Sequence, residues 1–234
     1  MIILGLDSSA VAASCAICQN DKILAYAFVN VKITHSQTLM PLMESVLKAA
    51  GMTLDDIDAF AVSSGPGSFT GLRIGVSAVK GMAFALNKPV CGVSTLFALA
   101  HNLVGRDVIA CAVMDARRDE VYNALFDISG GVITRLTPDR AIALDDLGAE
   151  LESDERLCGK EIVLAGDGAL LAESKLGARE RLSIAPEIIR YQNAASVCFA
   201  ADKSGFIAAS ELMPAYIRKP QAERERIERE RVKT

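Results

Sequence analysis

The sequence predicts an α/β chain of two lobes, each built on a mixed sheet with flanking helices. Three observations predict it. Short apolar runs of strand length alternate with longer runs whose apolar residues recur every three or four positions. The same plan occurs twice: a strand ending in aspartate (Asp7, then Asp115), a hairpin, and helices alternating with strands. The 234 residues are 51% hydrophobic, enough to bury one large core or two modest ones and too apolar for a disordered chain. Gly105-Arg106-Asp107 is the natural boundary, giving a first lobe of residues 1–105 and a second of 106–234.

Taken in order, residues 2–7, about 11–18 and about 22–30 read as strands, the last two joined by the tight turn Gln19-Asn20-Asp21. From His35 to Ala50 the pattern becomes helical, with Leu39, Leu42, Met43, Val46 and Leu47 three or four apart and Gly51 ending the run. Pro41 is tolerated if that helix starts near residues 36–38, where N–H groups have no internal partner. A turn at 53–56, a strand at 59–64, a glycine-rich loop and a helix at 69–86 follow. Asn87-Lys88-Pro89 breaks into a strand at 90–93, and Ser94 caps a helix reaching about residue 104. The second lobe reads as strands at 108–115, 120–128 and 132–136, helix 145–152, strand 162–165, and helices at 169–176 and near 194–203. Residues 223–231 alternate Glu and Arg around Ile227, a solvated helix or tail held by weak i,i+4 pairs.

Composition narrows the function classes. Met1–Asp7 lacks the basic start of a signal peptide, and no window approaches the roughly 18 uninterrupted apolar residues of a membrane span, so the chain reads as cytoplasmic. A net charge of −4 argues against gripping nucleic acid alone, and 5% aromatics without tryptophan argue against base-stacking platforms. Cys15-x-x-Cys18 lies in a strand, where residues three apart face opposite ways, and no second pair stands at zinc-site spacing. The six cysteines therefore read as small buried hydrophobes. His35 and His101 are the only histidines and are far apart in sequence, so neither a metal pair nor hydrolytic catalysis is expected.

The stretch from Ser63 to Gly75 is the most distinctive. It joins a buried strand to a small-residue helix that Ser68 or Thr70 can cap. It lacks the Gly-Lys-Ser/Thr of a P-loop, and its glycines are one residue off the dinucleotide spacing. Gly71, Gly75, Val79 and Ala83 share a helical face, a small stripe that lets another helix approach. With Leu39, Met43 and Val46 of the preceding helix it forms either a partner interface or internal packing against the sheet. Asp7-Ser8-Ser9 closes the first strand, as a magnesium–phosphate site or as a turn cap. Arg117 or Arg118, in the polar cluster 114–122, clamps a phosphate or carboxylate, or belongs to a solvated hairpin.

Leu6-Asp7-Ser8-Ser9, His35-Ser36, residues 64–75 (SGPGSFTGLRIG), residues 114–122 (MDARRDEVY) and Pro214-Ala215-Tyr216-Ile217-Arg218 together resemble the bacterial TsaB (YeaZ) family. The resemblance implies an actin-like, two-lobed fold of the sugar kinase/Hsp70/actin superfamily with ribonuclease H-like lobes. It implies a role in making threonylcarbamoyladenosine at position 37 of tRNAs reading codons that begin with A. TsaD, the family's catalytic relative, carries a paired-histidine metal motif that is absent here, so the resemblance implies a non-catalytic subunit with no metal site. Its implied partners are TsaD, bound through the N-terminal lobe, the ATPase TsaE, and functionally TsaC, which supplies threonylcarbamoyl-adenylate; tRNA is met only through the complex. The helices at 36–50 and 69–86 correspond to the family's dimer face, which also gives a homodimer when TsaD is absent. Arg117-Arg118 stand where the superfamily's nucleotide loop has glycines. No cofactor is then held tightly, although ATP or ADP with Mg has room near the partner interface through Asp7, Ser8, Ser9, Arg117 and Arg118. The alternative is a small ATP-dependent phosphotransferase of the same fold, with Asp7 and Asp115 flanking the metal.

Overall fold

The computed structural model describes residues 1–218, so the charged segment 223–231 lies outside the described residues. The strands are β1 (Ile2–Asp7), β2 (Ala13–Gln19), β3 (Lys22–Val29), β4 (Ala59–Gly65), β5 (Val90–Ser94), β6 (Val108–Asp115), β7 (Glu120–Ser129), β8 (Val132–Arg135), β9 (Arg140–Ala143), β10 (Ile162–Ala165) and β11 (Leu182–Ile184). The helices are α1 (His35–Ala50), α2 (Phe69–Leu86), α3 (Thr95–His101), α4 (Leu144–Ser153), α5 (Ala169–Leu176), α6 (Glu187–Arg190) and α7 (Ala194–Ser204). β9, β11 and α6, none longer than four residues, are too short to carry a readable period. α3 stops at His101, short of the expected residue 104, and its Ser94 cap is as expected.

The repeated plan is real in three dimensions. The first sheet runs β3-β2-β1-β4-β5 and the second β11-β10-β6-β7-β8, with β9 also on β7. β1 and β6 each pair antiparallel with the following strand and parallel with a later one, β4 or β10. α1 and α2 cover one face of the first sheet through Leu39, Met43, Val46, Val76, Val79 and Ala83. α3 covers one face of the second sheet, and α4 with α5 covers the other.

The other face of the first sheet is closed by α7, which corrects the expected division at residue 105. Ala194, Val197, Cys198 and Ala201 are buried against Ile3, Ala16, Ala61 and Val93, so the chain returns to the first lobe after building the second. Ile207 then bridges Val90, and residues up to 215 stay on the first lobe. The physical reason is that a parallel-containing sheet needs both faces covered. Nothing in the local sequence of α7 names the sheet it covers.

The small stripe of α2 faces inward, against the turn that follows β1. An added Cβ would lie 2.4 Å from Ser9 O at Gly67, 2.0 Å from Ser8 O at Gly71 and 2.4 Å from Ser8 Oγ at Gly75. The turn is also tied there by hydrogen bonds: Ser68 N donates to Ser9 O (2.7 Å), and Ser8 Oγ donates to Gly71 O (2.9 Å). Gly71, Gly75, Val79, Ala83, Leu39, Met43 and Val46 are all buried within the chain, so their expected place on a partner surface is corrected: they are core. Length and a hydropathy of 1.2 would let α2 pass for a membrane span. Arg73 and Lys80 interrupt it, the latter donating to Ser210 O and Leu212 O.

Substitutions separate these roles. Gly71→Ala drives a Cβ into backbone, which cannot yield as a flexible side chain does, and should cost about 1–3 kcal/mol. Gly81→Ala, on the same helix with no atom within 4 Å, should stabilise by about 0.5–1 kcal/mol. Urea unfolding of both variants checks this, and a Gly71→Ala protein as stable as the parent contradicts the packed turn.

Candidate functional site: the cleft between the lobes

The ends of β1, β4, β6 and β10 converge on a cleft of about 680 Å³. Its walls come from Ser9, Gly67 and Phe69 of the first lobe, Asp115, Arg117 and Asp167 of the second, and residues 215–218. Clefts at the carboxyl ends of strands are where open α/β folds bind ligands.

Asp7 is fully buried and does not line the cleft. Its Oδ1 accepts from Ser9 N (3.0 Å) and Ser9 Oγ (2.9 Å), and its Oδ2 accepts from Ser63 Oγ. Burial pushes its pKa up, opposed by the hydrogen bonds from Ser63 and Ser9. Oδ2 joins β1 to β4 through Ser63 and Oδ1 closes the turn after β1 through Ser9, so Asp7 is a brace. Ser8 turns away to Gly71 O, and of the three only Ser9 reaches the cleft.

The 115–120 loop replaces glycine geometry with strain. Arg117, Arg118 and Asp119 all adopt positive φ (66°, 60° and 58°), a conformation non-glycine residues seldom hold. Asp115 Oδ1 accepts from Arg117 N (2.7 Å) and supports the turn. Arg117 borders the cleft with its side chain 85% exposed and pairs with Asp115 at 3.5 Å. Arg118 is exposed, does not border the cleft, and makes no ion pair among the described residues.

Two features escaped the residue-level reading. Asp167, in the loop after β10, lines the cleft floor and accepts from Gln192 Nε2 (2.7 Å). Burial raises its pKa to about 6, with the Asp115 and Asp7 charges adding to the shift. The other is the strap 214–218. Ala215 N donates to Ser64 O (2.7 Å), and Ala215 O occupies the space a Gly65 side chain would need. The Tyr216 ring lies 4.9 Å from Phe69 and its hydroxyl accepts from Arg73 Nε (3.0 Å). Arg218 then crosses to the second lobe, pairing with Glu120 and donating to Ala116 O (3.2 Å). The signal for the strap was its aromatic and basic residues, but sequence gave no indication of which loops they meet.

Of the groups that could meet a magnesium-bound phosphate, Asp7 and Ser8 are committed internally, while Asp115, Asp167 and Arg117 face the cleft. Among the described residues no three His, Cys, Asp or Glu side chains converge to hold a metal ion.

Comparison with known proteins agrees with this two-lobed arrangement. Residues 30–225 match the family model described as TsaD, tRNA N6-adenosine threonylcarbamoyltransferase. The Bacillus subtilis tRNA threonylcarbamoyladenosine biosynthesis protein TsaB is 30% identical across 97% of this chain and 99% of its own length. The chain belongs to the TsaB family. The Escherichia coli TsaB is 36% identical over 124 residues, covering 52% of this chain and 53% of its own. A Pseudomonas aeruginosa crystal structure, described as similar to the peptidase YeaZ, superposes with a TM-score of 0.78 at 26% identity, over 93% of this chain and 99% of that one. The fold is the actin-like α/β fold; the ethanolamine utilization protein EutJ of Carboxydothermus hydrogenoformans shares it at a TM-score of 0.52 and 12% identity.

The raised Asp167 pKa has a signed consequence. The folded state holds that proton more tightly than the unfolded chain, so the group's contribution is most favourable below about pH 4 and is lost as pH rises towards 6. Asp167→Asn should remove that decline, worth at most about 3 kcal/mol. Urea midpoints at pH 4.5 and 7.5 test it: the parent should lose more stability than the variant across the interval, and equal losses contradict the assignment.

Proposed function

We propose that this chain is a cytoplasmic, non-catalytic subunit of the machinery that places a threonylcarbamoyl group on N6 of adenosine 37 in tRNAs reading codons that begin with A. The observation that supports it is the combination of TsaB-family membership over the whole chain with a cleft whose would-be catalytic carboxylate is a buried brace. Its partner is TsaD, with TsaE joining the pair, TsaC supplying the activated group, and tRNA bound through the assembly. A homodimer through the same surface is the form taken without TsaD.

The docking surface proposed here is the outward ridge of α1 and α2, in place of the buried stripe. Leu42 on α1 and Ile74, Ala78 and Met82 on α2 are half-buried apolar residues, and the α2 set is spaced four apart on one face. A partner helix lying along them would meet a ridge of i, i+4 side chains next to a second helix, the geometry of bundle packing. Met40 and Phe84 extend the exposed apolar surface of the two helices. Nucleotide enters this proposal only at the assembled interface, where a partner adds the groups the isolated cleft lacks.

Two experiments test the reading. Purified alone, the chain should transfer no threonylcarbamoyl group, and in a mixture of TsaC, TsaD and TsaE, product should depend on it; product formation undiminished by its omission overturns the proposal. Ala78→Arg should abolish co-elution with TsaD on size exclusion while leaving the circular dichroism melt near the parent's. An unchanged complex would move the interface elsewhere. The phosphotransferase alternative requires tight Mg-ATP binding to the isolated chain, read by calorimetry.

A further inference from the structure

The backbone passes between the lobes twice: α3 joins β5 to β6, and residues 185–193 join β11 to α7. Asn102 ties the two passages into one hinge, its Nδ2 donating to Ile189 O (2.8 Å) and Tyr191 O (2.9 Å). The strap at 214–218 makes a third link of another kind. It lines the main cleft through Ala215, Tyr216, Ile217 and Arg218, and it reaches the second lobe with a side chain.

The two ends of this link are held differently. On the first lobe the hold is spread over several groups. Lys80 Nζ donates to Ser210 O (3.0 Å) and Leu212 O (3.1 Å), Ala215 N donates to Ser64 O, and Tyr216 meets both Phe69 and Arg73. The Arg73 guanidinium also lies 3.9 Å from the centre of the Phe69 ring, so the seat for Tyr216 is itself packed. On the second lobe, among the described residues, the hydrogen bonds and ion pairs of 214–218 are those of Arg218, with Ala116 O and the Glu120 carboxylate. Those two acceptors are the ends of one turn, closed by Ala116 N donating to Glu120 O (3.0 Å) and carrying the three positive-φ residues between them. Arg218 therefore clamps the strained turn that brings Arg117 to the cleft. Its side chain is only 14% exposed, so salt screens the pair less than it screens a surface pair.

We propose that residues 214–218 are a releasable clasp between the lobes, seated on α2 and latched to the second lobe by Arg218. Latched, the clasp limits rotation of the lobes about the Asn102 hinge and holds the 116–120 turn in place. When Arg218 lets go, the strap stays with the first lobe, where its contacts are many, and the second lobe swings free with its turn. None of residues 214–218 is buried, so the latch opens without exposing either core. Arg218 thus sets how widely the cleft stands open and how firmly Arg117 is presented to it.

The test places nitroxide labels on exposed helix positions of the two lobes, Gln37→Cys on α1 and Ser174→Cys on α5. The full chain also carries Cys158→Ser, the five other native cysteines being buried. Labelled chain diluted into unlabelled chain reports distances within one molecule, read by double electron–electron resonance. The parent should give a narrow distribution. Arg218→Ala should add a longer-distance population, and Glu120→Gln, which removes the charge on the other side of the latch, should do the same. Arg156→Ala, which removes an ion pair made wholly within the second lobe, should leave the distribution narrow. Circular dichroism melts near the parent's would assign the longer population to lobe movement. Distributions identical in the parent, Arg218→Ala and Glu120→Gln overturn the proposal. So does a parent as broad as its variants, an equal broadening in Arg156→Ala, or a longer population that appears only with loss of the folded signal.

Discussion

The contact on which the structure depends most is the approach of the Ser8-Ser9 turn to the N-terminal half of α2. It joins the end of the leading strand to the helix that covers it, and it is closer than any side chain at Gly67, Gly71 or Gly75 would permit. Asp7 completes the joint by accepting from Ser63 and Ser9 behind it, where desolvation makes an unpaired carboxylate costly. The result fixes β1, β4 and α2 as one unit at the wall of the cleft. In a fold whose ligands bind at strand ends, the groups that would make a phosphate site serve instead to hold the wall together.

That single joint organises the rest. With its small face committed inward, α2 offers a partner only its other side, Ile74, Ala78 and Met82, beside Leu42 of α1. The strap at 214–218 lies against the N-terminal turn of the same helix through Phe69 and Arg73 and then reaches Ala116 and Glu120 of the second lobe. A partner seated on α2 would thus press on the helix that also carries the strap bridging the lobes. Docking and cleft geometry share one rigid element.

How much of this was legible in sequence follows from what sequence encodes. Strand and helix periods, the aspartate-terminated lead strands and the Gly51 and Ser68 caps are local, and the elements they predict are present. The small stripe was legible as a surface built for close approach; what approaches it was not, because a turn 63 residues before Gly71 is as small a neighbour as a foreign helix. The return of α7 to the first sheet was invisible for the same reason, since Ala194, Val197 and Ala201 suit either lobe. At the cleft, Asp7 was found by position and its turn-cap alternative is the one present, through Ser9, whereas its engagement with Ser63 is a long-range fact that local sequence does not carry. Asp167 was passed over because Gly166-Asp167-Gly168 looks like any turn until burial raises its pKa.

The most direct test of the account is hydrogen–deuterium exchange of the chain alone and bound to TsaD. Peptides spanning 38–50 and 73–86 should gain protection on binding, while the backbone at 6–9 should already be protected in the free chain and change little. New protection appearing at 6–9 and 115–120 with the two helices unchanged would contradict the account, placing the partner on the cleft and leaving the ridge free.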